Sequence, residues 1–287
     1  MIYLVLSVAA SLLIFVIFKL LQKFDVNTFQ AIVINYIVAF GFGIATSQNS
    51  LETNFIVNAD WFWGSVIVGA MFIGLFTLMA TTAQKNGLSV VSVASKMSVI
   101  IPIIAGILLY QESVGLQKII GIVLALISVY LVSIKSKTNI NFKKNLMLPL
   151  LLFFGSGISD TYINYLQKTA ISENHISLFS AFVFGFAGAI GVIILAIKLL
   201  RKQTQFDVKS ILGGIVLGLA NYASLYYIIK TLQSPNMESS TFFTINNVAI
   251  VMASTLIGLW VFKEHLIKKN WIGIGMALIA IYLVTFA

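Results

Sequence analysis

The stretch GILLYQESVGLQKIIGIVLALISVYLV (106–132) has a close counterpart, GLWVFKEHLIKKNWIGIGMALIAIYLV (258–284), and the two align without a gap. Leu, Ile and Val coincide easily in apolar segments, so the matches of Gly, Glu and Tyr carry most of the weight. An internal repeat of this length is typical of a duplicated structural unit. The chain is therefore predicted to consist of two related parts, 1–137 and 138–287. The matching pairs are Gly106/Gly258, Glu112/Glu264, Gly121/Gly273, Ala125/Ala277 and Tyr130/Tyr282.

The composition predicts that both parts lie in a membrane. Of the 287 residues, 59% are hydrophobic and only 9% are charged, and the mean hydropathy is +1.00. Soluble domains carry about 25% charged residues. Apolar runs near 20 residues long, without the alternation of barrel strands, indicate membrane-crossing helices. The predicted fold is an all-α membrane protein with ten spans, at 2–21, 28–46, 61–83, 89–110, 118–135, 147–168, 177–199, 210–231, 238–262 and 269–286.

Five spans in each half have a consequence for orientation. Because five is odd, the second half enters the bilayer in the opposite sense to the first. The sequence therefore predicts two inverted five-helix repeats. This construction is typical of secondary transporters, which bind substrate near the bilayer midplane between the repeats.

The net charge of +9 does not indicate a nucleic-acid partner, because basic residues flanking spans act as topology signals. Most of the 18 Lys and Arg residues follow odd-numbered spans. This bias predicts that those connections are cytoplasmic and that both termini are outside. The chain contains no Cys, which excludes disulfides and thiolate metal sites.

Two ionisable side chains lie well inside predicted spans, and such groups usually face a cavity or a partner. Asp160 lies within FFGSGISDTYINYLQK (153–168), and Lys96 lies in the fourth span. One interpretation is a structural ion pair between them. In the other, Lys96 anchors a substrate carboxylate or phosphate, and Asp160 is its counter-ion or a proton carrier.

Polar residues recur at helical spacing in five spans, which favours an aqueous pocket over isolated helix-bridging hydroxyls. Tyr222 is a candidate for stacking on a substrate, although simple packing is the better explanation of this residue. The predicted substrate-binding residues are Lys96, Asp160, Asn164, Ser92, Ser95, Thr244, Asn247, Asn221, Tyr222 and Ser11.

Other residues have predicted structural roles. Trp61, Trp63 and Trp271 begin spans and are expected in an interfacial aromatic belt. Gly214 and Gly218 form a small-xxx-small pair that favours close helix contact.

The chain resembles the drug/metabolite transporter superfamily, EamA type, over nearly its whole length. The resemblance rests on the ten spans, on Lys19 ending the first span, on Pro102, and on the paired Glu112 and Glu264. It implies secondary transport, with export of amino-acid-like or drug-like compounds, and it implies cytoplasmic termini. The two Glu residues are fold markers of this family and are expected to cap the helix that follows each of them.

No nucleotide-binding, nucleophile-elbow or metalloprotease motif is present, so we expect no enzyme and no cofactor, with proton or ion coupling left open. The predicted function is a secondary transporter of a small metabolite, working by alternating access in the bacterial inner membrane as a monomer or homodimer. Its expected partners are a small-molecule substrate and the lipid bilayer. The alternatives are a flippase for a lipid or a lipid-linked sugar and a membrane enzyme.

Overall fold

A computed structural model describes residues 2–46, 56–102, 104–105, 115–133, 142–171, 175–232 and 239–286. Within these ranges all regular secondary structure is helical, as the sequence predicts, and ten α-helices account for most of it. Each predicted span overlaps one of them. They are α1 (Ile2–Lys23), α2 (Thr28–Thr46), α3 (Phe62–Asn86), α4 (Leu88–Met97), α5 (Leu116–Ser133), α6 (Phe142–Thr169), α7 (Ile176–Leu200), α8 (Lys209–Leu232), α9 (Ser239–Trp260) and α10 (Lys268–Thr285).

Six of these helices, α1, α2, α3, α6, α7 and α8, are long and apolar enough to cross a bilayer. Shorter apolar helices cover Leu88–Pro102, Ile119–Val132 and Asn246–Trp260. The length and composition of these segments are those of an all-helical, membrane-type protein. The full set of ten crossings stays a prediction.

The chain packs as two units, and each takes helices from both sequence parts. Unit 1 comprises Met1–Lys19, Leu78–Ile158 and Ala223–Ala287, and unit 2 comprises Leu20–Thr77 and Ser159–Tyr222. The predicted division of the sequence between 137 and 138 concerns the repeat rather than these units, and it stays a prediction.

In unit 1, α5 packs along α10, and their termini are tied by side-chain amides. The Asn270 amide, at the start of α10, donates to the carbonyls of Leu131 and Val132 at 3.1 and 2.9 Å. The Gln117 amide, at the start of α5, donates to the carbonyl of Leu283 at 3.3 Å. The start of each helix therefore meets the end of the other, so the pair is antiparallel. Helices α4 and α9 also pack together in this unit.

In unit 2, α2 packs along α7 through small residues. A Cβ atom added to Gly191 would lie 2.9 Å from Val33, and one added to Gly185 would lie 2.9 Å from the Phe40 ring. Residue numbers rise along α2 as they fall along α7, so this pair is antiparallel too. The packed pairs α2/α7, α4/α9 and α5/α10 each join helices of equal rank in the two sequence parts.

Helix α8 approaches α2 through the predicted glycine pair. A Cβ atom on Gly214 would lie 2.8 Å from the carbonyl oxygen of Ala31, and one on Gly218 would lie 2.8 Å from that of Asn35. The predicted close helix contact is therefore present, because a larger residue would collide with the backbone of α2.

The prediction of an interfacial belt is wrong for Trp61. Its side chain is 1% exposed, whereas Trp63 is 72% and Trp271 is 49% exposed. The Trp61 ring lies against Phe179 and Phe182, with centroid distances of 6.1 and 5.9 Å. The Trp61 side chain packs inside unit 2 because, just before α3 begins, it lies against residues of α7.

Candidate functional site

Unit 1 buries a series of small polar side chains on helices that are otherwise apolar. Because an unpaired polar group in an apolar interior is costly, each such hydroxyl or amide needs a partner. We call this set the polar row. It comprises Ser7 and Ser11 on α1, Ser89 and Ser92 on α4, Ser224 on α8, and Asn246, Asn247 and Ser254 on α9. It also includes Ser95 on α4, a half-buried residue whose hydroxyl oxygen is buried.

Part of the polar row is paired between helices. The Ser7 hydroxyl lies 3.1 Å from the side-chain oxygen of Asn246, and the Ser11 and Ser224 hydroxyls lie 2.8 Å apart. These bonds link α1 to α9 and α8. Such contacts between apolar helices are commonly structural and stabilise them modestly.

The α4 section of the row is different. Ser254 donates to the Ser92 hydroxyl at 2.6 Å, and the Ser92 hydroxyl donates to the backbone oxygen of Ser89 at 3.1 Å. The hydroxyl oxygens of Ser89 and Ser95 are buried, and no hydrogen-bond partner for either lies in the described structure. A buried hydroxyl without a partner costs about 1–3 kcal/mol. These two hydroxyls are therefore the groups in the row that a bound polar molecule would satisfy.

The predicted site residues divide between the units. Lys96 is half-buried on α4, whereas Asp160 on α6 is exposed. Since they belong to different units, their predicted pairing stays a prediction. Unit 1 contains Ser11, Ser92, Ser95, Lys96, Thr244 and Asn247, and unit 2 contains Asp160, Asn164, Asn221 and Tyr222.

In unit 2, two of the predicted residues contact α2. The side-chain amides of Asn221 and Asn35 lie 3.2 Å apart, within hydrogen-bond distance, and the Tyr222 hydroxyl hydrogen-bonds to Thr46. Both contacts join α8 to α2. For Asn164 and Thr244 only the backbone belongs to the described structure.

An ion pair holds the start of α4, which carries Lys96 and the serines of the row. Lys19 Nζ lies 3.3 Å from Glu264 Oε1, with the two side chains only 19% and 11% exposed. The Leu88 amide donates to both carboxylate oxygens of Glu264, at 2.9 and 3.1 Å. A carboxylate here is stabilised because the start of a helix presents unpaired N–H groups and a partial positive charge.

Two glycines make this approach possible. A Cβ atom on Gly87 would lie 2.7 Å from Glu264 Oε2, and one on Gly258 would lie 2.6 Å from the same oxygen. Gly87 also has a φ of 107°, which favours glycine.

The expectation that Glu264 caps the helix after it is wrong, because its carboxylate caps α4 instead. The sequence contains no local signal for a contact between positions so far apart. Glu112 lies outside the described residues.

Within the described ranges, no group of three or more His, Asp or Glu side chains could hold a metal ion.

No family model matches this chain. The chain is 29% identical over 286 residues to an uncharacterised protein of Haemophilus influenzae, and the alignment covers 97% of this chain and 96% of that protein. The similarity extends along nearly the whole length of both chains, and it indicates no activity because the relative is uncharacterised.

Proposed function

We propose that this protein is a secondary transporter of a small polar or amphipathic metabolite, built from two inverted five-helix repeats and located in a bacterial inner membrane. The observation that carries the proposal is the pair of buried, unpartnered hydroxyls of Ser89 and Ser95 on α4, next to Lys96. A buried hydroxyl without a partner is costly, and a bound polar molecule would supply the missing hydrogen bond.

The antiparallel helix pairs support the repeat arrangement. In an inverted repeat, helices of equal rank run in opposite directions. The antiparallel pairs α2/α7 and α5/α10 fit this rule, and α4 and α9 are packed partners of equal rank as well. Transport by rocking of one repeat against the other follows from such a construction.

In the proposed site, Lys96 supplies a positive charge, and the α4 hydroxyls supply hydrogen bonds. This chemistry suits a substrate that carries a carboxylate or phosphate together with neutral polar groups. Asp160 is a proposed counter-ion or proton carrier, since an exposed carboxylate within an apolar span needs water or polar surroundings.

The first experiment measures thermal unfolding of the purified protein with a panel of amino acids, nucleosides, sugars, phosphates and cationic drugs. A ligand at about 100 times its dissociation constant stabilises the folded state by about 2.7 kcal/mol. Lys96→Gln and Asp160→Asn are tested separately, because the two residues lie in different units. Retention of the stabilisation in both variants would contradict their place in the site.

Serine variants separate a binding role from a structural one. Removing an unpartnered buried hydroxyl relieves its desolvation penalty, so Ser89→Ala and Ser95→Ala should raise the ligand-free unfolding temperature and weaken ligand binding. The matched control is Ser128→Ala on α5, whose buried hydroxyl donates to the Ala125 carbonyl at 2.7 Å. That control should leave binding unchanged. Unchanged ligand binding in all three variants would contradict the proposed site.

Uptake or counterflow in proteoliposomes then tests transport itself. Movement of a stabilising solute against its gradient, driven by an ion gradient, is the expected result. Binding without movement would favour a membrane enzyme, and movement of labelled lipid in place of any solute would favour a flippase.

A further inference from the structure

At one end of unit 2, the connection between α1 and α2 meets the connection between α7 and α8 through a hydrogen-bond network. Its centre is the Asp207 carboxylate. Asp207 Oδ2 accepts from the Asn27 backbone N–H at 2.8 Å and from the Ser210 hydroxyl at 3.1 Å. Asp207 Oδ1 accepts from the Lys209 backbone N–H at 3.0 Å. One carboxylate therefore connects the start of α2 with the start of α8.

Gln30 completes the network from the first turn of α2. Its amide nitrogen donates to the Gln205 carbonyl at 2.7 Å, and its amide oxygen accepts from the Asp207 backbone N–H at 2.9 Å. The side chain is 1% exposed, so these bonds are shielded from water. We call the set Asn27, Gln30, Thr204, Gln205, Asp207 and Ser210 the Asp207 latch; within it, the Asn27 amide also donates to the Thr204 hydroxyl at 3.0 Å.

The corresponding positions recur at the other end of α2 and α7. Asp60 precedes the first residue of α3 by two positions, as Asp207 precedes that of α8. His175 directly precedes α7, as Asn27 directly precedes α2. Among the described residues at that end, an apolar cluster is buried and Asp60 is exposed. We call it the Trp61 cluster: Ile56, Trp61, Val68, Leu166, Leu178, Phe179 and Val183.

The two kinds of contact differ in how easily they open. Hydrogen bonds that separate into water are replaced by bonds to water, so each contributes only about 1 kcal/mol net. Opening an apolar cluster exposes its surface to water, which costs about 25 cal/mol for each Å² exposed. The bonds of the latch can therefore be exchanged for bonds to water when it opens, whereas the apolar contacts of the Trp61 cluster have no such replacement.

We propose that the Asp207 latch is a reversible gate, which closes one face of unit 2 and opens in the transport cycle while the Trp61 cluster stays shut. The proposal rests on the proposed transport function. Both connections in the latch follow odd-numbered helices, so the predicted charge bias assigns the gate to the cytoplasmic face.

The test uses single-cysteine reporters, which is possible because the chain has no Cys of its own. Ala31→Cys places a thiol one residue after Gln30, and Val68→Cys places one in the Trp61 cluster; both native side chains are 0% exposed. The rate of labelling by a water-soluble maleimide then reports how often each end opens. Each reporter is combined with Asp207→Ala and with the matched control Asp60→Ala.

Asp207→Ala should raise the labelling rate at position 31 by about tenfold, because the open population grows when the closed state is weakened. The rate at position 68 should fall about twofold, since one end closes as the other opens in alternating access. Asp60→Ala should change neither rate. Ser210→Ala, which removes the hydroxyl contacts to Asp207 Oδ2 and to the Asn27 carbonyl, should give an intermediate increase at position 31 and serves if Asp207→Ala does not fold.

Three results would overturn the gate. An unchanged rate at position 31 would show that the latch does not control access. Faster labelling at both positions would mean general loosening of the fold, and faster labelling at position 31 with no change at position 68 would mean local fraying. Because labelling needs no substrate, the outcome is independent of the transport assay. If the labelling rates change as expected but no solute is bound or transported, the proposed function is refuted. If a solute is transported but the labelling rates do not change, only the gate is refuted.

Discussion

In the residues that the structure describes, one end of unit 2 is held by a hydrogen-bond network and the other by an apolar cluster. The Asp207 latch pairs nearly every polar group it contains with a specific partner, and it depends on the geometry of a few atoms. The Trp61 cluster depends on filled volume, with the Trp61 and Phe179 rings edge to face at a centroid distance of 6.1 Å. Helices of similar composition can therefore be joined by specific hydrogen bonds at one end and by apolar packing at the other.

The largest effect is expected at the apolar end. Trp61→Ala should lower the free energy of unfolding by about 3–5 kcal/mol, because it leaves a cavity that the surrounding rings fill only partly. Denaturant titration in detergent measures this. Trp63→Ala is the matched control, since Trp63 is 72% exposed and its removal should change stability by less than about 0.5 kcal/mol. Equal losses in the two variants would contradict the assignment of Trp61 to the core of this end.

A smaller loss is expected at the polar end. Gln30→Ala should lower the free energy of unfolding by about 2 kcal/mol, because it leaves the Gln205 carbonyl and the Asp207 N–H without their partner. The same titration applies, with Gln203→Ala as the control, because Gln203 is exposed in the same connection. A loss as large as that of Trp61→Ala would remove the distinction between the two ends.

Acid should weaken the latch and spare the cluster. Hydrogen bonds from the Asn27 backbone, and then from Lys209 and Ser210, hold the pKa of Asp207 below its ordinary value of 3.8 against the opposing effect of partial desolvation. A carboxyl whose folded-state pKa is lowered stabilises the fold above its unfolded pKa, and that contribution is lost as the pH falls through the folded pKa.

The stability should therefore fall as the pH is lowered below 3.8, and Asp207→Asn should show a smaller fall over the same interval. Thermal unfolding at a series of pH values measures both. An identical acid profile in the two proteins would show that Asp207 does not contribute to the pH dependence.

The smallest effect is expected at Asp60. Because its side chain is exposed, Asp60→Asn should change the free energy of unfolding by less than about 0.5 kcal/mol. The comparison with Asp207→Asn is direct, since the two residues hold the same position relative to α3 and α8. A loss at Asp60 comparable to that at Asp207 would indicate that both ends are held by polar contacts.

Several features of the fold and the candidate site were predictable from the sequence. Every predicted span overlaps a helix, because apolar length alone selects helices in lipid. The Gly214–Gly218 pair correctly indicated a close helix contact, since small residues permit backbones to approach. Ser11, Ser92 and Asn247 are buried, and their predicted place in a substrate pocket stays a prediction.

Other features could not be predicted because they depend on which helix face turns inward. Trp61 and Trp63 are two residues apart at the start of α3, yet one is buried and the other exposed. The Glu264 carboxylate caps α4, although the sequence places it just before α10. Nothing near Glu264 in the chain indicates Leu88 as its partner.

Hydropathy, charge bias and internal repetition are properties of residues in order along the chain, so the sequence by itself determined the all-helical, membrane-type architecture and the candidate polar positions. The tertiary structure alone decided which of those positions are paired, which hydroxyls on α4 are left unpartnered, and how the ends of unit 2 are closed. These outcomes depend on contacts between segments far apart in sequence, and such contacts are set by helix rotation and the space that glycines leave, which no local pattern encodes.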